Sequence, residues 1–333
     1  MNNMIGYLIW WTVPEVEAPY QELDELAAQV SFPADCVPNP PAPRHAWEKA
    51  TNVGGARGLK LDVPVDLGNQ VFIEYGAAPV VRLITRRVSE AAPVLRRHLV
   101  REAVIPVSPD HWKQLSLQTV AVLEFNCKTN RADVDLVGDN EGWVNGNLNT
   151  ILANIDARRH ALMNLADGND VREGVRKQLA DLHRITLRGT GGVYFVPRAA
   201  PDAEASLKAL RAYIKGLKPW KVGQLEPSCN IVRLNGEDAE SIKEEILTSA
   251  LAEFKVRLSE LAEKVEPVLK GSAKGKVAER ISQLATEELF TVKAAIAAYR
   301  ESLNDDLQGL ADMIEMAQAA VVQAAGLGDE WRV

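Results

Sequence analysis

The sequence predicts an α+β protein with a mostly antiparallel N-terminal sheet and helices, a small central α/β segment, and a long C-terminal antiparallel helical hairpin. Three observations lead to this fold class. Short β-branched segments separated by turn residues occupy residues 59–137. Helical periodicity replaces them from residue 148, and two long apolar stripes flank a glycine-containing loop near the C-terminus. Strands followed by helices in this order are typical of α+β folds.

The first fifty residues predict one strand and two helices. Residues 4–13 are rich in β-branched and aromatic side chains and stop at Pro14, as expected of a strand. Residues 20–30 carry their apolar side chains on one helical face. A proline-rich stretch at 38–43 then predicts an extended connection into a short helix around residues 46–51.

The predicted sheet follows. Its strand segments read LKLDVPV, VFIEY, VVRLITRRV, TVAVLEFNC and ADVDLV, and the last two flank a tight turn at residues 128–131. Short connections between strands favour antiparallel pairing. We therefore expect an antiparallel sheet of roughly five or six strands.

The central part predicts two helices and a small strand–helix–strand segment. Residues 148–165 and 171–182 each keep an apolar helical stripe. A strand entered through the glycines of RGTGGVYFVP, a helix over 203–217 and a strand over 229–234 come next. This strand–helix–strand segment could extend the first sheet or form a layer of its own.

The C-terminal third predicts two helices that fold back on each other. Apolar residues recur at spacings of three and four from Ile242 to Val268, and again from Val277 to Val321. Gly271 and Gly275 interrupt the two stripes. At about 1.5 Å per residue, we expect the first helix to be roughly 45 Å long and the second roughly 70 Å. The second arm would then overhang the first, and its apolar face there would need another partner.

The predicted organisation is an α+β domain at 1–145, a basic helical and small α/β segment at 146–236, a helical hairpin at 237–325 and a tail at 326–333. The formal net charge is −7. Acidic residues exceed basic ones in the first and last parts, whereas basic residues exceed acidic ones in the middle. Such a pattern indicates different surface roles, or domains that attract each other.

The overhanging part of the last helix is the first candidate for function. Its apolar residues predict either a protein interface or burial against the helices of residues 148–182 in the same chain. The leading hypothesis is a non-enzymatic assembly subunit or adaptor that associates with a protein partner or with itself. The candidate interface residues are Tyr299, Leu303, Leu307, Leu310, Ile314, Ala317 and Val321.

Nucleic-acid binding is the alternative hypothesis. The segments 82–101 and 158–221 are rich in lysine and arginine, and Trp220 offers a ring for base stacking. The candidate contacts are Arg82, Arg86, Arg87, Arg96, Arg97, Arg101, Lys218, Trp220 and Lys221. The competing interpretation is a solvated surface, or charges that match the acidic hairpin.

No catalytic, cofactor or metal motif occurs in the sequence. The five histidines and three cysteines lack ligand spacing, GGARGLK at 54–60 is not a P-loop, and no GxSxG is present. We expect no cofactor and no metal, although an enzyme whose site residues are scattered in sequence remains a second alternative. The odd number and wide spacing of the cysteines favour the cytoplasm. The apolar run at 4–13 is about half the length of a membrane span, so we expect a buried strand there and no membrane association.

Three phrases together resemble a family of uncharacterised bacterial, archaeal and phage proteins. They are GYLIWWTV at the start, PAPRHAWEKAT in the proline-led helix and GGVYFVP before the helical C-terminus. In this family a GxLxW-type strand, a proline-led helix ending in Ala-Thr, a GxYFVP strand and a helical C-terminus follow in that order. The resemblance covers nearly the whole chain and implies the order of elements. The family has no assigned activity, so it implies no functional residues.

Overall fold

The structure is a computed structural model and forms two compact units, described separately below. One unit comprises residues 1–38 and 167–333, and the other comprises residues 39–166. The residues that the structure describes are 4–52, 59–64, 80–89, 93–108, 111–137, 142–187, 192–220 and 225–326. The predicted strand VFIEY at 71–75 lies outside them.

The described residues form eleven strands and eight α-helices. The strands are β1 (Met4–Thr12), β2 (Glu17–Pro19), β3 (Leu59–Pro64), β4 (Val80–Ser89), β5 (Val94–Ser108), β6 (His111–Asn126), β7 (Arg131–Leu136), β8 (Leu165–Asp167), β9 (Ile185–Thr186), β10 (Tyr194–Pro197) and β11 (Ser228–Asn235). The helices are α1 (Tyr20–Val30), α2 (Pro43–Thr51), α3 (Gly142–Asn164), α4 (Gly168–Asp181), α5 (Ala203–Gly216), α6 (Gly236–Leu269), α7 (Lys276–Leu303) and α8 (Ala311–Ala324).

The unit of residues 39–166 contains the predicted antiparallel sheet. Its described strands pair in the order β3-β4-β5-β6-β7, which confirms the expected antiparallel direction, whereas β5 was not among the predicted strand segments. Leu99 on β5 and Phe125 on β6 point to the face that α2 covers. Trp47 of α2 stacks on Phe125 with ring centroids 5.5 Å apart. This aromatic pair anchors the helix on the sheet.

The other unit is built around a second antiparallel sheet in the order β11-β1-β10-β9. The N-terminal strand β1 is therefore central, between β10 and β11. The strand–helix–strand segment does not extend the first sheet; it forms a sheet of its own with β1. The predicted segment 1–145 consequently differs from the observed units, because the pairing partners of β1 lie about 190 and 225 residues further along the chain.

Gly6 permits the close packing of this second sheet. A Cβ atom built on Gly6 would lie 2.4 Å from the carbonyl oxygen of Val196 and 2.5 Å from Cζ of Phe195. Both distances are far below van der Waals contact. Only glycine fits at this position without movement of β10.

Helices pack on both faces of the second sheet. The C-terminal helices share one core with Phe195 and Leu234 of the sheet. On the opposite face α5 packs against β11 and α1 packs against α5. There Tyr213 of α5 stacks on Phe32 at a centroid distance of 4.0 Å. The apolar residues on alternate positions of β1 thus reach two different helical layers.

The C-terminal hairpin is present, but its second arm is shorter than predicted. α6 and α7 are joined by a loop in which Gly271 and Gly275 adopt positive φ angles of 69° and 56°. α7 ends at Leu303, where Asn304 is left-handed (φ 47°). Residues 308–310 form a 3-10 turn, and α8 then packs against α6 and α7. The prediction of one long overhanging helix was therefore wrong.

The break follows from turn chemistry in the sequence NDD at 304–306. Asn and Asp accept left-handed backbone and bond nearby amides through their side chains. Here the Asp305 carboxylate accepts a hydrogen bond of 2.8 Å from the backbone N–H of Leu307. Helical periodicity continues through this turn because α8 presents its own apolar stripe to the same core.

Candidate functional site

The predicted interface residues line the interior of the C-terminal helical layer. Ile314 is half-buried and packs against the core, and the other six are buried: Tyr299, Leu303, Leu307, Leu310, Ala317 and Val321. They pack with α6 and with the second sheet. The intramolecular partner expected from the sequence was a different one, the helices of residues 148–182. Because α8 folds back, these side chains are shielded from solvent within the chain. They do not form a surface to which a partner can dock.

The arginines of the first sheet do not gather on one surface. Arg86 lies 3.8 Å from Glu102, and Arg96 forms an ion pair with Glu124. Arg97 points to the opposite face, where its guanidinium lies 5.6 Å from the ring centroid of Trp47. Alternate residues of a strand point to opposite faces, so this run of charges divides between them.

Three other arginines and one lysine also belong to the predicted set. In the strand register Arg82 is opposite Glu102 and Arg87 is opposite Arg97. The side chains of Arg82 and Arg87 lie outside the described part. Arg101 is half-buried on β5. Lys221 lies outside the described residues.

Lys218 and Trp220 line an open cleft of about 660 Å³ in the first-described unit of residues 1–38 and 167–333. One wall is α1, which contributes Glu22, Glu25 and Gln29 from one helical stripe, and Glu17 of β2 extends this wall. The other wall is the chain segment 216–220 after α5. Three glutamates face one lysine, so the cleft is acidic, the opposite of what a phosphate backbone requires.

The floor of the cleft is apolar and its tryptophan wall is accessible. Leu23 and Leu217 are buried and Leu26 is half-buried beneath the charged residues. Trp220 is 52% exposed. From Glu22 to Gln29 the helical stripe extends about 10 Å, the length of roughly three residues of an extended chain.

Backbone contacts hold the two walls in place. The backbone N–H of Trp220 donates to the carbonyl oxygen of Glu15 at 3.1 Å. The guanidinium of Arg172 in turn donates to the carbonyl of Val13 at 2.8 Å. A Cβ atom on Gly216 would lie 2.5 Å from Cδ1 of Leu26, so glycine allows the second wall to approach α1 closely. The cleft is therefore formed before any ligand binds.

A separate polar cluster lies where the 3-10 turn at 34–36 meets the end of α4. Asp35, Cys36 and Asp181 bring their ligand atoms within 4.8 Å of one another. Nζ of Lys177 donates to Asp35 Oδ2 at 2.7 Å, and the Cys36 thiol donates to Asp181 Oδ2 at 3.8 Å. Thiol and carboxylate groups are ligands for a divalent cation such as zinc. Of the described residues, these three are the set that could hold one.

Electrostatics make this cluster a poor nucleophilic site. Burial, followed by the nearby carboxylates of Asp35 and Asp181, raises the pKa of the Cys36 thiol to about 11. Burial and the charge of Asp35 also raise the pKa of Asp181. The hydrogen bond from Lys177 lowers the pKa of Asp35. Since the thiolate is the reactive species, Cys36 is protonated and unreactive at neutral pH.

The sequence identified the tryptophan and lysine of the cleft but not their surroundings. Lys218, Trp220 and Lys221 are close in sequence and indicate a basic site when considered alone. Glu17, Glu22 and Glu25 lie about 200 residues earlier, and only the packing of α1 on α5 brings them together.

Comparison with known proteins identifies a family but no individual relative. Among the described helices, none combines the length and the apolar character of a membrane span. No curated protein and no solved structure matches the chain. One family model, DUF6744, described as a family of unknown function, matches residues 4–326 and confirms the resemblance seen in the sequence. The chain belongs to this family of unknown function, DUF6744.

Proposed function

We propose that this protein is a non-enzymatic adaptor that binds a short arginine-rich segment of a partner protein in the acidic cleft beside α1. The observation that carries the proposal is the combination of Glu17, Glu22 and Glu25 with the accessible ring of Trp220. Its working compartment is the reducing cytoplasm, in keeping with the free thiols of Cys36, Cys127 and Cys229.

The chemistry of the cleft favours a cation with a flat, extended face. A carboxylate accepts two parallel hydrogen bonds from a guanidinium, and an indole ring is the best aromatic surface for a cation. Arginine satisfies both, whereas lysine supplies a point charge without the planar fork. The aliphatic part of each arginine can contact the apolar floor formed by Leu23, Leu26 and Leu217.

The proposed association uses this cleft and not the buried residues of α7, α8 and the turn between them. The cleft is open to solvent, whereas Tyr299 and Leu310 are fully buried. Nucleic-acid binding is less well supported, because Arg86 and Arg96 are paired with glutamates and Lys218 faces acidic residues. The cluster of Asp35, Cys36 and Asp181 does not favour thiolate chemistry, because burial raises the pKa of the Cys36 thiol to about 11.

Binding of a labelled peptide tests the proposal. The probe is a fluorescein-labelled peptide of four arginines flanked by Gly-Ser, with tetra-lysine and tetra-glutamate versions as comparisons. Fluorescence anisotropy at low salt should show the tightest binding for the arginine peptide, weaker binding for the lysine peptide and none for the glutamate peptide. The affinity should fall markedly in high salt. Equal binding of the glutamate peptide would contradict the proposal.

Matched variants locate the site. Glu22→Gln combined with Glu25→Gln should weaken arginine-peptide binding about tenfold, because two partly solvated ion pairs are lost. Trp220→Ala should weaken it further by removing the ring contact, and Lys218→Ala should strengthen it. The control combines Glu260→Gln with Glu263→Gln on the exposed face of α6, which makes the same change in net charge. If the control loses as much affinity as the cleft variant, the binding site is elsewhere.

A further inference from the structure

Strand β7 lies at an open edge of the five-stranded sheet. It pairs with β6 on one side, and no strand of the described residues pairs with its other side. All six residues from Arg131 to Leu136 are exposed. An edge of this kind presents a row of backbone N–H and C=O groups that another extended chain can pair with.

One face of β7 continues the apolar face of the sheet. Val134 is opposite Leu123, and Leu136 is opposite Ala121 on β6. Leu123 is 2% exposed and belongs to the core, whereas Val134 is 41% and Leu136 is 57% exposed. Cross-strand neighbours share a face, so the apolar face of the sheet extends beyond the part that α2 covers and reaches β7, the last strand. Apolar side chains on an added strand would be shielded against Val134 and Leu136.

The other face of β7 is acidic at its centre. Asp133 and Asp135 lie on it, opposite Glu124 and Val122. Arg131 lies 3.5 Å from Asp133, and Arg96 pairs with Glu124. The Arg131–Asp133 pair is highly exposed and contributes little. A strand added here would place its own side chains next to these two aspartates, where positive charge is favoured.

Self-pairing of two copies conflicts with this charge pattern in the registers that overlap most of β7. An antiparallel β7–β7 pair centred on residue 133 or residue 135 brings one aspartate opposite its own copy. A pair centred on residue 134 brings Asp133 opposite Asp135 twice. Like charges directly opposite each other destabilise a strand pair, and charged edge residues commonly prevent such pairing.

We propose that β7 is a strand-addition site for an extended segment of a partner protein with basic residues at alternate positions and apolar residues between them. The added strand hydrogen-bonds the free edge of β7, its basic residues face Asp133 and Asp135, and its apolar residues cover Val134 and Leu136. This site is independent of the acidic cleft beside α1.

A short designed peptide tests this site on the full-length chain carrying Glu22→Gln and Glu25→Gln, which remove two negative charges from the cleft and so weaken binding there. The probe is labelled Gly-Lys-Val-Lys-Val-Lys-Gly; one comparison peptide has glutamate in place of lysine, and another carries N-methyl groups on alternate backbone amides. The first should bind in an anisotropy titration and slow hydrogen exchange of the amides in 131–136. The glutamate and N-methylated peptides should bind at least tenfold more weakly. Equal binding of the N-methylated peptide would exclude backbone pairing and overturn the proposal.

Two variants separate β7 from other acidic surfaces. Asp133→Asn combined with Asp135→Asn should weaken peptide binding about tenfold, whereas Glu260→Gln with Glu263→Gln and Trp220→Ala should leave it unchanged. Loss of binding in Trp220→Ala would place the peptide in the cleft and overturn the proposal. Sedimentation without peptide should show no dimer that depends on β7; a dimer abolished by Val134→Lys would assign the edge to a second copy instead.

Discussion

The phenol of Tyr299 donates a hydrogen bond of 3.2 Å to the backbone carbonyl of Phe195, joining α7 to strand β10 in the interior of the protein. The two rings also contact each other, with centroids 5.8 Å apart. Burial raises the pKa of Tyr299 well above its usual value, so the phenol stays protonated and remains a donor. A residue predicted to face a partner protein thus fixes the helical layer to the sheet.

Replacement of Tyr299 by phenylalanine should lower the free energy of unfolding by about 1–2 kcal/mol, because the buried carbonyl of Phe195 loses its donor. Tyr213→Phe is the matched control. The hydroxyl of Tyr213 is also buried but has no hydrogen-bond partner among the described residues. Its removal should be neutral or stabilising. Urea unfolding of the two variants measures the difference, and an equal loss in both would contradict the role of the Tyr299 hydrogen bond.

Gly6→Ala should destabilise the second sheet by roughly 1–3 kcal/mol or more, since the added methyl group would overlap the backbone of β10. Gly309→Ala provides the comparison. A Cβ atom at Gly309 meets nothing closer than 3.9 Å, so this variant should be nearly neutral. Thermal unfolding followed by circular dichroism compares them. A Gly6→Ala protein with the melting temperature of the wild type would show that β1 and β10 are not packed this closely.

The three cysteines should react at different rates with a thiol reagent. Cys36 and Cys229 are buried, and burial raises the pKa of each to about 11. Cys127 is partly exposed. In a chromogenic disulfide assay at pH 7.5 one thiol per chain should react rapidly and the other two only on unfolding. Rapid reaction that persists in Cys127→Ser would disprove this assignment.

His183 should make stability depend on pH below neutrality. It is 8% exposed, and burial together with the charge of Arg257 lowers its pKa. The unfolded chain therefore binds this proton more readily than the folded one. The contribution of His183 to the free energy of unfolding is complete above the ordinary histidine pKa of about 6.5. It is lost as the pH falls through the lower pKa that His183 has in the folded protein.

The variant His183→Asn isolates this effect. Asparagine tolerates the left-handed backbone of position 183 (φ 57°) but does not titrate. Urea midpoints measured between pH 5 and pH 7.5 should vary less in this variant than in the wild type. His45→Asn, at an exposed position, should keep the wild-type dependence. An unchanged slope in His183→Asn would contradict the prediction.

Local periodicity was sufficient to predict most elements of this fold. Four described strands of the first sheet (β3, β4, β6 and β7), the helix after the prolines and the α6–α7 hairpin follow from patterns within a few dozen residues, whereas strand β5 was not predicted. The pairing of β1 with β10 and β11 could not be predicted in this way, since no local pattern specifies a partner so distant in the chain. The end of α7 was missed because the turn at 304–306 does not interrupt the apolar spacing.

The cleft was predicted only in part for the same reason. Trp220 and Lys218 were singled out from neighbouring residues, and their local sequence suggested a basic surface. Their real environment is set by Glu22 and Glu25 on α1, which tertiary packing brings against the segment after α5. The sign of the charge at a site depends on all the elements that surround it, and a single segment does not reveal it.

The affinity of the tetra-arginine peptide for the wild type, compared with that for the Glu22→Gln, Glu25→Gln variant, tests the proposed function most directly. An acidic, pre-formed cleft predicts measurable salt-sensitive binding to the wild type and about a tenfold loss in the variant. Binding of equal strength to both proteins, or no binding to the wild type at low salt, would contradict it.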